Sequence, residues 1–588
     1  MKKKLLLTAG VLVMATSLFA CKKEATKEEV SDIVYFENGV VYTSTEEDTI
    51  AESLAVEDGK IVFVGSAKDG ESYKEKAKEV VDLDGGMLMP GFIDGHIHTV
   101  TPNFFDFNLL SDTEVDAALK TIETYVSENP DKELYSAYGY LTSMFEGEEL
   151  EKGPSKERLD KICPDKPLAI FSFDGHAAWL NSKAFELSQI TPETKVTPGG
   201  EIPLTASGEL WGSLKDSALS MIAPELLELS DDKAEDVLTE YQTLMNSYGY
   251  TSIMAFPGNG FMPIPWKGFA SLMDEDQLTL RVHGAGIVKS WSIDEDLETV
   301  KKLHEEYDSD LLACTSAKIF ADGVMDSKSA YMLAPYEGEP DNYGETAWSQ
   351  DDLNKVFVSL NEANIQAHVH AIGDGATRLA LNAAEYAKEN VAEGDYRNAI
   401  THLQIVADED KPRFGELDVL AVTQPYWALK QPDYWKEIEH ASLGDRADTE
   451  YPLKSLQDAG ATIVAASDYP VTIDPNPFIA VETGVTRNLA DATPYGVEEI
   501  TDMDDPQWLL APEERLSVED MIRAYTVNAA FSIFSDDVTG TLEVGKSADL
   551  IVVDQNILEV NPVDISNTKV LQTYLQGKKV FDRNTKVD

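Results

Sequence analysis

The sequence predicts an α/β fold: a (β/α)8 barrel with a β-sandwich built from both chain ends and an insert after the first barrel strand. Three observations predict it. Eight short apolar strand patterns alternate with helical patterns through the middle of the chain, the mark of parallel βαβ units. Strand-and-turn patterns stand at both ends of the chain. Side chains capable of chemistry fall where the middle strands end, the face on which such barrels carry their sites.

Met1 is followed by three lysines and an apolar run from Leu5 to Ala20, a signal-peptide pattern too short for a comfortable membrane span. The run closes as Leu18-Phe19-Ala20-Cys21, which resembles the lipobox of bacterial lipoproteins. That resemblance implies cleavage before Cys21 and lipid on its thiol, with the folded body anchored to a membrane outside the cytoplasm. Residues 21–31 are charged and patternless and read as a tether. Residues 32–86 hold strands such as Ile33-Val34-Tyr35-Phe36 and Ile61-Val62-Phe63-Val64, separated by Asn38-Gly39 and Asp58-Gly59 turns. Residues 538–588 hold Leu550-Ile551-Val552-Val553 and Val570–Leu575, and the two sets are expected to pair into one composite sandwich.

Residues 87–537 are expected to form the barrel. Its strands begin with Met87-Leu88-Met89 leading into Gly91–Asp94. They continue at 251–255, 278–282, 317–320, 365–370, 399–402, 419–422 and 462–466, with helical patterns such as 352–363 and 376–389 between them. A β/α unit takes about 30–45 residues, so the stretch from His98 to residue 251 holds an insert, read as a cap over the barrel mouth at about 99–250.

The charge narrows the function. With 48 Lys+Arg against 105 Asp+Glu the net charge is −57. A nucleic-acid-coating protein needs a basic face, so nucleic acid is excluded as a main partner, and anionic headgroups repel the folded body. Membrane contact is therefore expected only through Cys21. Cys163 and Cys314 are too few for a disulfide framework and read as separate buried thiols. A homodimer is compatible with the sequence, which does not specify the oligomeric state.

His96-Ile97-His98 follows the first strand. Residues at i and i+2 of an extended segment point to one side, so both imidazoles can reach one ion. His370 ends another strand, His402 a third, and Asp468, in Ser467-Asp468-Tyr469-Pro470, the last. Four of the nine histidines thus fall at strand ends facing one barrel mouth. Gly-x-Ser-x-Gly does not occur, which argues against serine catalysis.

Several segments carry a further resemblance. They are Met89–His98, Asp174–Ser182, Lys318–Gly323, the His370 segment, Tyr525–Ala530 and Gly540–Leu550. Over about residues 32–580 the chain resembles the amidohydrolase superfamily, in particular amidohydrolase family 3, the group of YtcJ-like and N-substituted formamide deformylase-like proteins. The resemblance implies a divalent metal site, zinc first among the candidates, with one or two ions. Its ligands would be His96, His98, Lys318, His370, His402 and Asp468, and Lys318 would serve as a carbamate, because an ammonium has no lone pair. His368, which makes a second His-x-His with His370, is read as packed or behind the ligands. His176 is expected either to orient substrate as a catalytic residue or, with Asp174 and Asn181, to hold the cap together. Three positions depart from many members: Ile253-Met254-Ala255-Phe256 has no aspartate after the second strand, Gly375 stands where many have Arg, and Ala466 where many have Gly.

The expected function is hydrolysis of a C–N bond in a non-peptide amide, formamide or related small molecule. Metal-activated hydroxide would attack the carbonyl, with Asp468 as proton shuttle. Hydrolysis of a lactone, ester or cyclic amide on the same site is the alternative reaction, and a non-catalytic binding lipoprotein the alternative class.

Overall fold

The structure is a computed structural model that describes residues 32–585 except 46–48, 100–103, 174, 198–199, 228–230, 258–263, 393, 433 and 493–499. The expected signal peptide (1–20), Cys21, the tether to residue 31 and Asp174 lie outside the described residues. Among the described residues no helix is long and apolar enough to cross a membrane.

Eight strands form one parallel sheet in sequence order. They are β1 (Phe92–His98), β2 (Tyr250–Phe256), β3 (Arg281–Ile287), β4 (Leu312–Phe320), β5 (Gln366–Ala371), β6 (Ala399–His402), β7 (Leu420–Thr423) and β8 (Ile463–Ala465). Helices cover their outer face, so the strands are buried on both sides and read as apolar runs. The helix Gln350–Glu362 shows why the pattern is periodic: Leu353, Val356, Phe357 and Leu360 are its buried face, at helical spacing. Its first turn is capped by Ser349, whose hydroxyl accepts from Asp352 N.

The sheet closes on itself between β8 and β1. Asp468 N donates to His96 O at 2.8 Å, and His98 N to Tyr469 O at 2.9 Å. Gly95 makes the approach possible, because a Cβ there would stand 2.5 Å from Val464 Cγ1.

Strands from the two ends of the chain share a second sheet. Its order is Lys578–Asp582, Val570–Leu575, Leu550–Val553, Met87–Pro90, Val40–Tyr42, Ile50–Ala51. A four-stranded sheet of Lys60–Gly65, Ser53–Glu57, Val34–Glu37 and Glu79–Asp82 supplies the other layer. Phe36, Leu54, Leu88, Leu550 and Val552 fill the space between the layers. Met87–Pro90, read from sequence as the barrel's lead-in, is antiparallel to Leu550–Val553. The sandwich therefore runs past residue 86 and the barrel begins at Phe92. The run Met87–Ile93 is apolar except for Pro90 and Gly91, and hydrophobicity alone does not say which sheet takes it.

The insert has its own six-stranded sheet. Its order is Gly200–Glu201, Ser213–Asp216, Ala177–Leu180, Leu168–Ser172, Tyr135–Tyr140, Phe107–Asn108. The helix Asp231–Ser247 is not part of it: Leu238, Tyr241 and Met245 join the barrel core with Phe269 and Leu280. This helix leads into β2, so the cap ends before it rather than at residue 250. Cys163 and Cys314 are both buried free thiols.

One buried ion pair ties sandwich to barrel. Arg281, at the start of β3, donates from Nη2 to Asp549 Oδ2 at 3.0 Å and also pairs with Asp310. Both Arg281 and Asp549 are without exposed side-chain surface. Asp549 Oδ1 accepts from Ser547 Oγ and Gln576 N, so its second oxygen is satisfied as well. Asp549→Ala strips a buried guanidinium of one partner and should cost about 3–5 kcal/mol. Urea unfolding followed by tryptophan fluorescence checks this, and an unchanged midpoint would remove the pair from the account.

Candidate metal centre

The barrel seam and the strand ends bring the candidate side chains together. β1 carries Asp94, His96 and His98, and its register against β2 shifts between Asp94 and Ile97, so the strand does not alternate strictly from the carboxylate to the histidines. The buried Asp94 carboxylate accepts from His96 N at 3.1 Å and from Ser467 N at 3.0 Å. It thereby clamps β1 to the segment that carries Asp468. Burial pushes Asp94 up to about 7, against the donors on its oxygens.

His96, His402 and Asp468 offer ligand atoms that all lie within 4.8 Å of one another. Around that triangle, His98 Nε2 is 3.2 Å from Asp468 Oδ1 and Lys318 Nζ is 2.9 Å from His96 Nε2. The His370 ring lies 4.4 Å from that of His402, but its Nε2 faces Gly323 O at 3.2 Å and Asp322 Oδ1 at 3.7 Å. His370 thus borders the triangle and turns one nitrogen away from it. His368 stands behind His96, its Nε2 2.9 Å from His96 Nδ1.

The donor set suits a cation. The His98 Nδ1 lies 3.3 Å from Phe256 O, and a carbonyl can only accept. That contact is served by a proton on Nδ1, which leaves Nε2 to face Asp468. The Asp468 Oδ1 itself is buried and has no hydrogen-bond partner, although buried polar atoms are nearly always paired. An unpaired buried carboxylate oxygen 3.2 Å from a ring nitrogen is a pairing that a cation would complete. His402 is prepared in the same way, its Nδ1 3.0 Å from Gln424 Oε1.

Electrostatics keep these nitrogens unprotonated. Burial drives His96 and His402 well below the ordinary imidazole range, and neighbouring cationic groups add to it. Burial takes His370 to about 3. It also pulls the Lys318 ammonium down to about 7, with Asp468 pulling the other way. The backbone is strained here: φ is 80° at His402, 53° at Leu403 and 57° at Asp468, a region that non-glycine residues rarely enter.

His176 lies on the surface of the cap, about half exposed, its Nδ1 3.0 Å from Asp216 Oδ1. Asn181, by contrast, is internal to the cap: it caps the helix Ser182–Leu187 and donates to Cys163 O and Lys166 O.

Several residues of the site escaped the sequence reading. Phe256, the last residue of β2, stacks on His96 at 4.1 Å. Trp427 stacks on His402 at 5.9 Å. Asp322 accepts from the backbone of Tyr331, Ile372 and Gly373 beneath His370. Asp94 stands in the same segment as His96 and His98, but the register shift between Asp94 and Ile97 hides its place from the sequence spacing.

Two residues past His402, the Gln404 amide donates to both Glu439 Oε1 at 2.9 Å and Glu450 Oε1 at 2.7 Å. Burial pushes both carboxyls up, Glu439 to about 8 with the Asp326 charge adding to it, and the Glu439 charge adds to the rise at Glu450.

A profile of the amidohydrolase family matches residues 79–581. The chain is 29% identical to Protein LONG AFTER FAR-RED 3 of Arabidopsis thaliana, over 92% of this chain and 91% of that protein. It is 24% identical to the N-substituted formamide deformylase of Arthrobacter pascens, over 93% and 98%. Among solved structures, an uncharacterized metal-dependent hydrolase from Pyrococcus horikoshii superposes with a TM-score of 0.69 at 20% identity, covering 90% of this chain and 99% of that one.

Asp94→Ala orphans two buried N–H groups at the seam and should cost about 2–4 kcal/mol, with loss of bound metal, whereas Asp94→Asn keeps an acceptor and loses less. Thermal unfolding and elemental analysis read the difference. A second expectation concerns pH. A carboxyl raised in the fold binds its proton more tightly there than in the unfolded chain. The pair's contribution is therefore present below the ordinary glutamate range and is lost as pH climbs toward about 8. Glu450→Gln should flatten this decline, so the melting temperatures of variant and wild type move apart, in favour of the variant, between pH 5 and pH 8.5. Parallel curves would show that the pair carries no net proton.

Proposed function

The chain belongs to the amidohydrolase family, and on that premise we propose that it cleaves a C–N bond of a non-peptide amide, formamide or related small molecule at the barrel mouth. The observation that carries the reading is the convergence of His96, His402 and Asp468, with the Asp468 Oδ1 buried and without a hydrogen-bond partner. Full-length similarity to a protein named as a formamide deformylase supports the bond type.

His96, His402 and Asp468 would hold a divalent ion, with His98, Lys318 and His370 at its border. Such an ion would supply Lewis acidity toward a carbonyl oxygen and an attacking water. A nitrogen- and carboxylate-rich donor set accepts zinc, and also manganese, cobalt or iron. The Lys318 amine, partly unprotonated near pH 7, is in the state that adds carbon dioxide, and the resulting carbamate would give a second ion an anionic oxygen.

The remaining work falls to the chain's own groups. Asp468 accepts the proton of the attacking water and returns it to the leaving nitrogen, which departs poorly as an anion. His176, at the edge of the cap, orients the substrate from above. Phe256 and Trp427, stacked on two of the histidines, keep the floor of the site apolar and dry.

Purified protein should carry one or two equivalents of zinc or manganese, lost in His96→Ala/His98→Ala. Asp468→Asn should retain the metal but lose about 10²–10⁴-fold in kcat on N-substituted formamides and simple amides. No bound metal after growth with added zinc and manganese would overturn the reading. Turnover of lactones or esters alone would move it to C–O bonds.

A further inference from the structure

Behind the candidate ligands runs a line of buried polar side chains that the proposed reaction does not use. Its far end is Gln366, at the start of β5 and almost without exposed surface. Its Nε2 lies 2.7 Å from Arg397 O and 2.9 Å from Ser532 O. Two carbonyls can only accept, so the amide orientation is forced: NH2 toward the carbonyls, Oε1 toward the barrel. Ser316 Oγ donates to that same Oε1 at 2.7 Å.

The consequence passes along the line. His368 Nδ1 is 3.2 Å from Gln366 Oε1 and must donate to it. The neutral His368 ring then has a bare Nε2, 2.9 Å from His96 Nδ1. His96 must donate from Nδ1, which leaves its Nε2 as the lone pair 2.9 Å from Lys318 Nζ and 3.5 Å from Asp468 Oδ1. Lys318 at the other end of the line is a donor as an ammonium and calls for the same lone pair on His96 Nε2, 2.9 Å away, so the placement is the same read from either end. Phe256 stacks on His96 and packs a tilted ring against His368, which restrains both imidazole planes.

We infer that Gln366 is a positioning residue that fixes the tautomer of His96 through His368, so that His96 meets a metal ion with Nε2 as its donor. The inference rests on His96 being a ligand, as proposed above, but the tautomer chain holds whether or not an ion binds. Two backbone carbonyls, from the segment before β6 and from the end of the helix Val527–Ser532, thus decide which nitrogen faces the metal.

The test uses the full chain labelled with ¹⁵N-histidine, stripped of metal with a chelator, at pH 7.5. With nine histidines the ring nitrogens are assignable by comparison with His96→Ala and His368→Phe. In wild type, His96 and His368 should both show a protonated Nδ1 and a bare Nε2. A protonated Nε2 on His96, or an equal mixture, overturns the inference without recourse to any variant. Zinc affinity by competition with a chromophoric chelator is the second readout. His368→Phe removes the acceptor and should weaken zinc about 10–100-fold. His368→Gln, which returns a carbonyl oxygen near the lost Nε2, should recover most of it. Equal zinc affinity in wild type and His368→Phe also overturns the inference. If wild type shows the expected tautomers yet takes up no zinc, the relay stands and the metal reading falls.

Discussion

Everything at the barrel mouth is referenced to one buried carboxylate. Asp94 accepts hydrogen bonds from the backbone of His96 and of Ser467, joining the first strand of the barrel to the segment after the last. The same seam places Asp468 N on His96 O. Closing the barrel and building the site are therefore one event. A parallel sheet left open between β8 and β1 would expose backbone donors and acceptors that must be paired, and pairing them sets the distance between the β1 histidines and Asp468. The left-handed backbone at Asp468 is held against its own preference by these bonds.

Within that frame the site is an arrangement of lone pairs. Burial keeps the imidazoles of His96, His370 and His402 neutral and pulls the Lys318 amine toward neutrality. Neutral second partners then decide which atom faces inward: Phe256 O for His98, Gln424 for His402, Gly323 O for His370. A protein of net charge −57 thus holds buried imidazoles that resist a second proton, the condition under which nitrogen ligands bind metal strongly.

The barrel strands were legible because each is an apolar run bounded by turns and followed by helical periodicity. The histidines and Asp468 were legible because they end those runs. What was not legible depends on pairing across strands. Gln366 is two residues from His368 in sequence, but its task is set by Arg397 O and Ser532 O, which no local pattern announces. Gln424 and Trp427 follow β7 without any motif. Met87–Pro90 was assigned to the wrong sheet because its partner, Leu550–Val553, lies more than four hundred residues away. The helix Asp231–Ser247 was counted with the cap because amphipathic spacing shows that a face is buried, not which core buries it.

The sandwich has a bearing on how the chain comes to be folded. Met87–Pro90, immediately before the histidine-bearing β1, takes one neighbour from Val40–Tyr42 and the other from Leu550–Val553. Asp549, next to that late strand, also anchors Arg281 at the foot of β3. During synthesis Met87–Pro90 must therefore wait, half-paired, until Leu550–Val553 has been made. Contacts so distant in sequence are slow to form, and an unpaired strand edge invites association with other chains in the meantime. A chain interrupted before Leu550 would therefore carry all of the candidate ligands while the strand that leads into β1 still lacked one neighbour.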